Sequence, residues 1–340
     1  MPLRPSRIIG TIIAISLFTS LQSGTAFADE RRTVDEFTSQ AQAAAQDPRS
    51  RIVSNDPNYE APSLSAEASA GQPFIEGNPG SGPPGDVTVH GAEPYDPDQN
   101  IAPPEDVEVA PFEIIGEDER ERVTATSYPR RSVVLIRYTD GGNCTGWMYG
   151  ADTVITAGHC VHDEGAWVNP ADITIIPAYD ARLPDPAPFG QCGATRLFAQ
   201  TGWTQLGSQL WDFGGIKLDC NVGEATGWLG AFWTERSLSG QETTITQYPG
   251  DKNDQMWEAQ GTISHLPLEY YTFYHDADTT GGSSGSPVYT YYPEESDLCT
   301  GYCASAVHAG YVEREQGVIN QATRITPERF NIMLELANLG

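Results

Sequence analysis

Positive charge is scarce in this chain of 340 residues: 19 Lys and Arg stand against 46 Asp and Glu, for a net charge of −27. The deficit runs throughout, with 6 basic against 16 acidic residues up to residue 112 and 13 against 30 beyond it. Such a surface repels phosphate backbones, which excludes nucleic acid as a partner. No Cys-x-x-Cys pair occurs, and His159 and His162, three apart, stand without one, so a structural zinc site is not supported. Beyond the N-terminus no apolar run is long enough for a membrane-spanning helix. Helix signals are nearly absent before the last residues.

The N-terminus itself reads as a leader. Arg4 and Arg7 precede a largely apolar stretch from Ile8 to Leu21, shorter and more interrupted than a membrane span, and Ala26-Phe27-Ala28 places small residues at the cleavage positions. Residues 1–28 are expected to be a signal peptide cut after Ala28, giving a secreted product with no membrane attachment. Residues 29–112 hold 12 of the 25 prolines, together with Gly, Ala, Ser and acidic residues. A stretch of that composition buries too little apolar surface to offset its ordering entropy. It is expected to be a disordered propeptide rather than a plain spacer.

Export permits disulfides. The six cysteines, Cys144, Cys160, Cys192, Cys220, Cys299 and Cys303, allow 15 pairings, and the sequence does not choose among them. Pairing in chain order is the simplest, with Cys144 joined to Cys160, Cys192 to Cys220 and Cys299 to Cys303.

From about Glu113 the chain reads as globular and all-β. Short β-branched runs separated by Gly, Pro and Asn turns are expected as strands at 132–138, 152–156, 172–176, 195–199, 213–218, 243–248, 256–263, 270–274, 287–291, 304–312 and 318–323. The tail differs: Thr326 is a helix cap, Pro327 suits the first helical position, and apolar residues follow at helical spacing, so a C-terminal helix is expected over 327–338.

The run Thr279-Thr280-Gly281-Gly282-Ser283-Ser284-Gly285-Ser286-Pro287 carries the chemistry. Glycines around a serine let the chain turn sharply and aim two amides at one point, where a carbonyl attacked by the hydroxyl develops negative charge. Ser284 is the best nucleophile, ahead of Ser283 and Ser286, with the N–H groups of Gly282 and Ser284 as the oxyanion hole. Nucleophilic serine also needs a base and a group that orients the base. His159, in Thr156-Ala157-Gly158-His159-Cys160 after an apolar strand, is the best base. Asp212, just before the apolar run 213–218, is the best orienter. The chain order His, Asp, Ser is one of the known orders of such triads.

With these residues in view, the chain resembles the chymotrypsin-like serine proteases, and among them the bacterial glutamyl endopeptidases of the staphylococcal V8 and Bacillus type. The similar blocks include Asn143-Cys144-Thr145-Gly146-Trp147-Met148, 156–160, 279–287 and Ala306-Val307-His308. Others are Ile115-Gly116-Glu117-Asp118-Glu119-Arg120, Tyr248-Pro249-Gly250-Asp251-Lys252 and Thr323-Arg324-Ile325-Thr326. The resemblance covers roughly 113–338. It implies two antiparallel six-stranded β-barrels, the first over about 113–225 and the second over about 226–326, with the active site between them. It implies an acyl-enzyme mechanism without cofactor or metal, peptide and protein substrates, and a monomer.

It also implies cutting after Glu, and more weakly after Asp, with His308 and Thr279 binding the substrate carboxylate. Asp278 departs from this. It lies six residues before Ser284, where trypsin-like enzymes place the acid that selects Lys or Arg, and a carboxylate facing a Glu side chain would repel it. A glutamyl enzyme therefore needs Asp278 turned away or paired. The alternatives are a protease preferring Lys or Arg through Asp278, and a catalytically silent secreted β-domain that binds peptides. In the V8 enzyme the mature α-amine helps hold the substrate carboxylate, and the start block places that terminus near Glu113 here.

Overall fold

A computed structural model describes residues 39–61, 74–82, 91–96, 114–264, 270–314 and 317–339. The expected signal peptide lies outside the described residues. Twelve strands form the body: β1 (Val133–Tyr138), β2 (Asn143–Met148), β3 (Thr153–Thr156), β4 (Ile173–Pro177), β5 (Cys192–Gln200) and β6 (Gly214–Leu218), then β7 (Glu242–Gln247), β8 (Trp257–Ser264), β9 (Thr272–His275), β10 (Pro287–Tyr292), β11 (Gly301–Arg314) and β12 (Gly317–Arg324). The first six pair in the order β5-β6-β3-β2-β1-β4, and β4 closes onto β5. The second six pair in the order β10-β7-β8-β9-β12-β11, and β11 closes onto β10. Counted from its own first strand, each ring has the same connectivity. The fold is two closed antiparallel six-stranded barrels.

Closure leaves no free sheet edges within a ring and turns alternate side chains inward. In the first barrel Leu135, Ile155, Ile175, Leu197 and Ile216 are fully buried, and in the second Ile245, Phe273, Val288, Ala306 and Ala322 nearly so. Strand β2 was not among the expected strands. It has one β-branched residue, Thr145, and is held in the ring by pairing with β1 and β3 rather than by its own propensity. The disulfides join Cys144 to Cys160, Cys192 to Cys220 and Cys299 to Cys303.

The C-terminal helix spans Pro327–Asn338, and the Thr326 side chain accepts from the Arg329 amide. Arg329 is fully buried and ties this helix to both barrels. It donates to Gln200 Oε1 at 2.8 Å, to the carbonyls of Tyr271 and Arg324 at 2.9 and 2.7 Å, and to the Leu210 carbonyl.

Two expectations need correction. Parts of 29–112 are ordered on the body. Residues 52–54 pair antiparallel with residues 198–200 at the end of β5, Tyr59 meets Phe198 edge to face and donates to Glu335, and Phe74–Ile75 pairs with Ala231–Phe232. The physical reason is local: Ile52, 2% exposed, and the Tyr59 ring supply apolar contacts that the average composition of the stretch conceals. The second correction concerns the start of the globular part. Glu121–Arg122, expected within the first barrel, pairs with Trp257 and Glu258 of β8 in the second.

Candidate active site

His159 sits on a short 3-10 turn, Gly158–Cys160, directly after β3. The Cys144–Cys160 bridge ties this turn to β2. A Cβ at Gly158 would lie 3.0 Å from Asp212 Oδ1 and from the Trp203 ring, a contact to which those side chains would have to yield by a few tenths of an ångström. Asp212 follows another 3-10 turn and is 2% exposed. Its two oxygens divide between the two polar groups of His159: Oδ1 accepts from the main-chain N–H at 2.9 Å, and Oδ2 lies 2.8 Å from Nδ1. The imidazole, 24% exposed, keeps one edge open. Loss of solvent around it disfavours the charged ring, but the adjacent Asp212 carboxylate outweighs this and raises the pKa of His159 above its ordinary value.

The nucleophile loop is threaded between the barrels. The Ser284 carbonyl accepts from Thr145 N at 2.8 Å, and the Gly282 carbonyl accepts from Thr145 Oγ1 at 2.8 Å. On its other side, Gly285 N donates to the His308 carbonyl and His308 N donates to the Ser286 carbonyl, both at 2.8 Å. Gly282 and Gly285 have φ of +90° and +87°, a region that L side chains rarely adopt. A Cβ on Gly285 would lie 2.0 Å from the Thr145 carbonyl. The hydroxyls competing with Ser284 are engaged in holding this loop: Ser283 Oγ donates to Gln247 Oε1, and Ser286 Oγ donates to the Ser283 carbonyl. Neither Gly282 N nor Ser284 N donates to a protein acceptor among the described residues.

Thr279 opens the loop, fully buried, and its hydroxyl meets no hydrogen-bond partner among the described residues. His308, on β11, is also fully buried, and its Nδ1 lies 3.2 Å from Nε2 of His275 on β9. Burial, and then the neighbouring His275 and His159, drive the pKa of His308 well below its usual value, and burial pushes His275 down to about 4. Asp278 does not present its carboxylate as a free acid: Oδ1 accepts from Ile115 N and Oδ2 from Glu119 N, both at 2.8 Å.

The paired histidines make stability depend on pH. A base whose folded pKa is depressed takes up its proton more readily in the unfolded chain, so its contribution is complete above about pH 6.5 and is lost on acidification. The expected loss between pH 6.5 and 4 is on the order of 3 kcal/mol for the depressed His275, at about 1.4 kcal/mol per pH unit. Urea unfolding midpoints should fall through that window, and His275→Asn should flatten the dependence.

The sequence reading named His159, Asp212, Ser284, Gly282, Thr279 and His308. It named Asn143 and Thr145 only within a block of the family resemblance, with no role, and did not name Gln247, Trp203 or His275. Asn143 Nδ2 donates to the Tyr248 carbonyl at 2.8 Å, and Trp203 Nε1 donates to the His162 carbonyl at 2.7 Å with its ring 6.0 Å from His159. These residues act across long sequence separations, and no local pattern marks them.

A family model described as a trypsin-like peptidase domain matches residues 144–292. The glutamyl endopeptidase of Bacillus licheniformis is 38% identical over 234 residues, covering 67% of this chain and 71% of that protein. A Bacillus subtilis protein named extracellular metalloprotease is 34% identical over 237 residues, with the same coverage, and a Staphylococcus aureus glutamyl endopeptidase is 28% identical over 52% of this chain and 53% of its own length. Among solved structures, a Glu endopeptidase in complex with MPD superposes with a TM-score of 0.56 at 24% identity, covering 66% of this chain and all of that one. The thermostable serine protease AL20 from an extremophilic microorganism superposes at 0.50 and 20% identity, over 62% of this chain and 98% of its own. These structural likenesses bear on the fold. Among the described residues two groups of three possible metal ligands lie close together, Cys144, His159 and Cys160, and Cys192, Asp219 and Cys220. In both the sulfurs are joined in disulfides and offer no thiolate to an ion. The extent and identity of the Bacillus match, on a double barrel, establish that the chain belongs to the glutamyl endopeptidase family and is a serine endopeptidase.

Proposed function

We propose that the protein hydrolyses peptide bonds after Glu, and more slowly after Asp, through an acyl-enzyme on Ser284. His159 takes the Ser284 proton and returns it to the leaving amine, Asp212 orients and compensates His159, and the amides of Gly282 and Ser284 receive the oxyanion. Water then releases the acyl group by the reverse sequence of proton transfers. The relatives named for glutamyl endopeptidase activity support the specificity.

The observation that carries the Glu reading is the state of Asp278. Both its oxygens are filled by main-chain amides of residues 115–119, so it is not an open acid waiting for Lys or Arg. The polar groups that this reading assigns to a substrate carboxylate are the Thr279 hydroxyl and the His308 imidazole. A buried carboxylate with matched donors is stable, and one without them is strongly disfavoured. His308→Ala should therefore lower kcat/KM on Glu peptides by about 10- to 100-fold and change matched Leu peptides little. Equal losses on both would remove His308 from the pocket. A peptide-library cleavage profile tests the specificity directly.

By this reading residues 1–28 direct secretion and 29–112 form a propeptide released by cutting near Glu113. The enzyme then acts extracellularly, as a monomer. N-terminal sequencing of the active form checks the processing site.

A further inference from the structure

The Asp278 carboxylate is 3% exposed and takes no part in the steps above. Its surroundings are unusual for a pocket acid. Besides the two amides on its side chain, its main-chain carbonyl accepts from Gln247 Nε2 at 2.8 Å, and the same Gln247 accepts from Ser283, the residue before the nucleophile. One residue beyond Glu119, the buried Arg120 donates to Thr280 Oγ1 at 2.9 Å and to Asp251 at 2.9 and 2.7 Å, and pairs with Asp118 at 2.8 Å. Residues 115–120 thus grip the nucleophile loop at Asp278 and at Thr280, the two residues that flank Thr279.

We propose that Asp278 is a positioning residue. It clamps residues 115–119 against the loop, and through that clamp keeps the Thr279 hydroxyl and the Gly282 N–H in place for the substrate. The part played by Thr279 rests on the glutamyl reading; the clamp itself does not. Two amides on one carboxylate are strong hydrogen bonds, and together with the Arg120–Thr280 bond they tie the segment to this loop, while its strand pairing is to Trp257 and Glu258. Electrostatics without the clamp makes the opposite forecast. An anion near a Glu pocket repels the substrate, so neutralising it should speed Glu cleavage. Under the clamp, neutralising it slows Glu cleavage, because an asparagine offers one acceptor where two amides need one each.

The test uses the full chain and two variants, Asp278→Asn and Ile115→Pro. The second removes a donor from the far side of the clamp without touching the loop. Rates are measured on peptides that differ only at the residue before the cut (Glu, Leu or Arg), together with hydrogen exchange over residues 114–120. Each variant should lower kcat/KM on Glu about tenfold and on Leu less. The Glu119 amide should exchange faster in both, and the double variant should be no worse than the poorer single one. An unchanged or raised rate on Glu, or a loss confined to Arg, overturns the proposal. If Asp278→Asn does not fold, Ile115→Pro decides alone. If the unsubstituted protein shows no preference for Glu, the glutamyl reading fails, and exchange at Glu119 still decides the clamp.

Discussion

Alanine at position 284 is expected to lower kcat by about 10⁵- to 10⁶-fold and leave the fold intact. The size follows from the division of labour proposed for Ser284, His159 and Asp212. Without the hydroxyl no acyl-enzyme forms, and His159 and Asp212 have no proton to move. What remains is substrate binding and the oxyanion amides, worth about 10³- to 10⁴-fold over water. Stability should change by less than about 1 kcal/mol, because the loop is held by the Ser284 carbonyl, by Thr145 and by the hydroxyls of Ser283 and Ser286, none of which the substitution removes. Single-turnover kinetics and urea unfolding measure the two halves of this expectation. A serine-directed phosphonylating probe should label the unsubstituted protein and not the variant. Turnover that survives the substitution would mean that another nucleophile operates.

Asp212→Asn should cost about 10⁴-fold in kcat with the geometry retained. The hydrogen bonds give the reason. Oδ1 of residue 212 accepts from the His159 amide, which always carries its proton, so an asparagine must keep its oxygen there. Its NH₂ group then faces His159 Nδ1, where the carboxylate oxygen now lies at 2.8 Å. Nδ1 is forced to accept, the ring proton moves to Nε2, and the base loses the lone pair it needs for Ser284. The pH profile should move as well. The Asp212 carboxylate raises the His159 pKa, and the base works only when neutral, so the acid limb of kcat/KM should have its midpoint above pH 6.5 in the unsubstituted protein. It should shift to lower pH in the variant. A drop in rate with an unmoved acid limb would mean that Asp212 supports the loop rather than the imidazole.

Much of the architecture is legible in the sequence. The β-branched runs from 132–138 to 318–323 marked eleven of the twelve barrel strands to within a few residues, because those strands are half or wholly buried and their side chains show it. The exception, β2, carries Cys144, Gly146 and Trp147, and its place depends on neighbours rather than on propensity. The shared connectivity of the two barrels left no trace in the sequence. It is a relation among backbone hydrogen bonds, which almost any side chain can satisfy. Composition misled at residues 52–59, since an average over 84 residues hides the few apolar side chains that dock.

The site divides along the same line. The positive-φ turns at Gly282 and Gly285 and the helix cap at Thr326 depend on backbone torsions or on residue type within a few positions, and the chain order of His159, Asp212 and Ser284 is a property of the sequence itself, so the sequence alone determined them. Everything that needs two distant segments to touch was decided by tertiary structure. Closing the barrels laid residues 115–119 over Asp278, set His275 against His308 and brought the Thr145 hydroxyl to the Gly282 carbonyl. The clearest case is Asp278, where one carboxylate six residues before a serine could have meant a basic substrate or a structural clamp. The choice lay with two amides more than 150 positions earlier in the chain, which only folding could deliver.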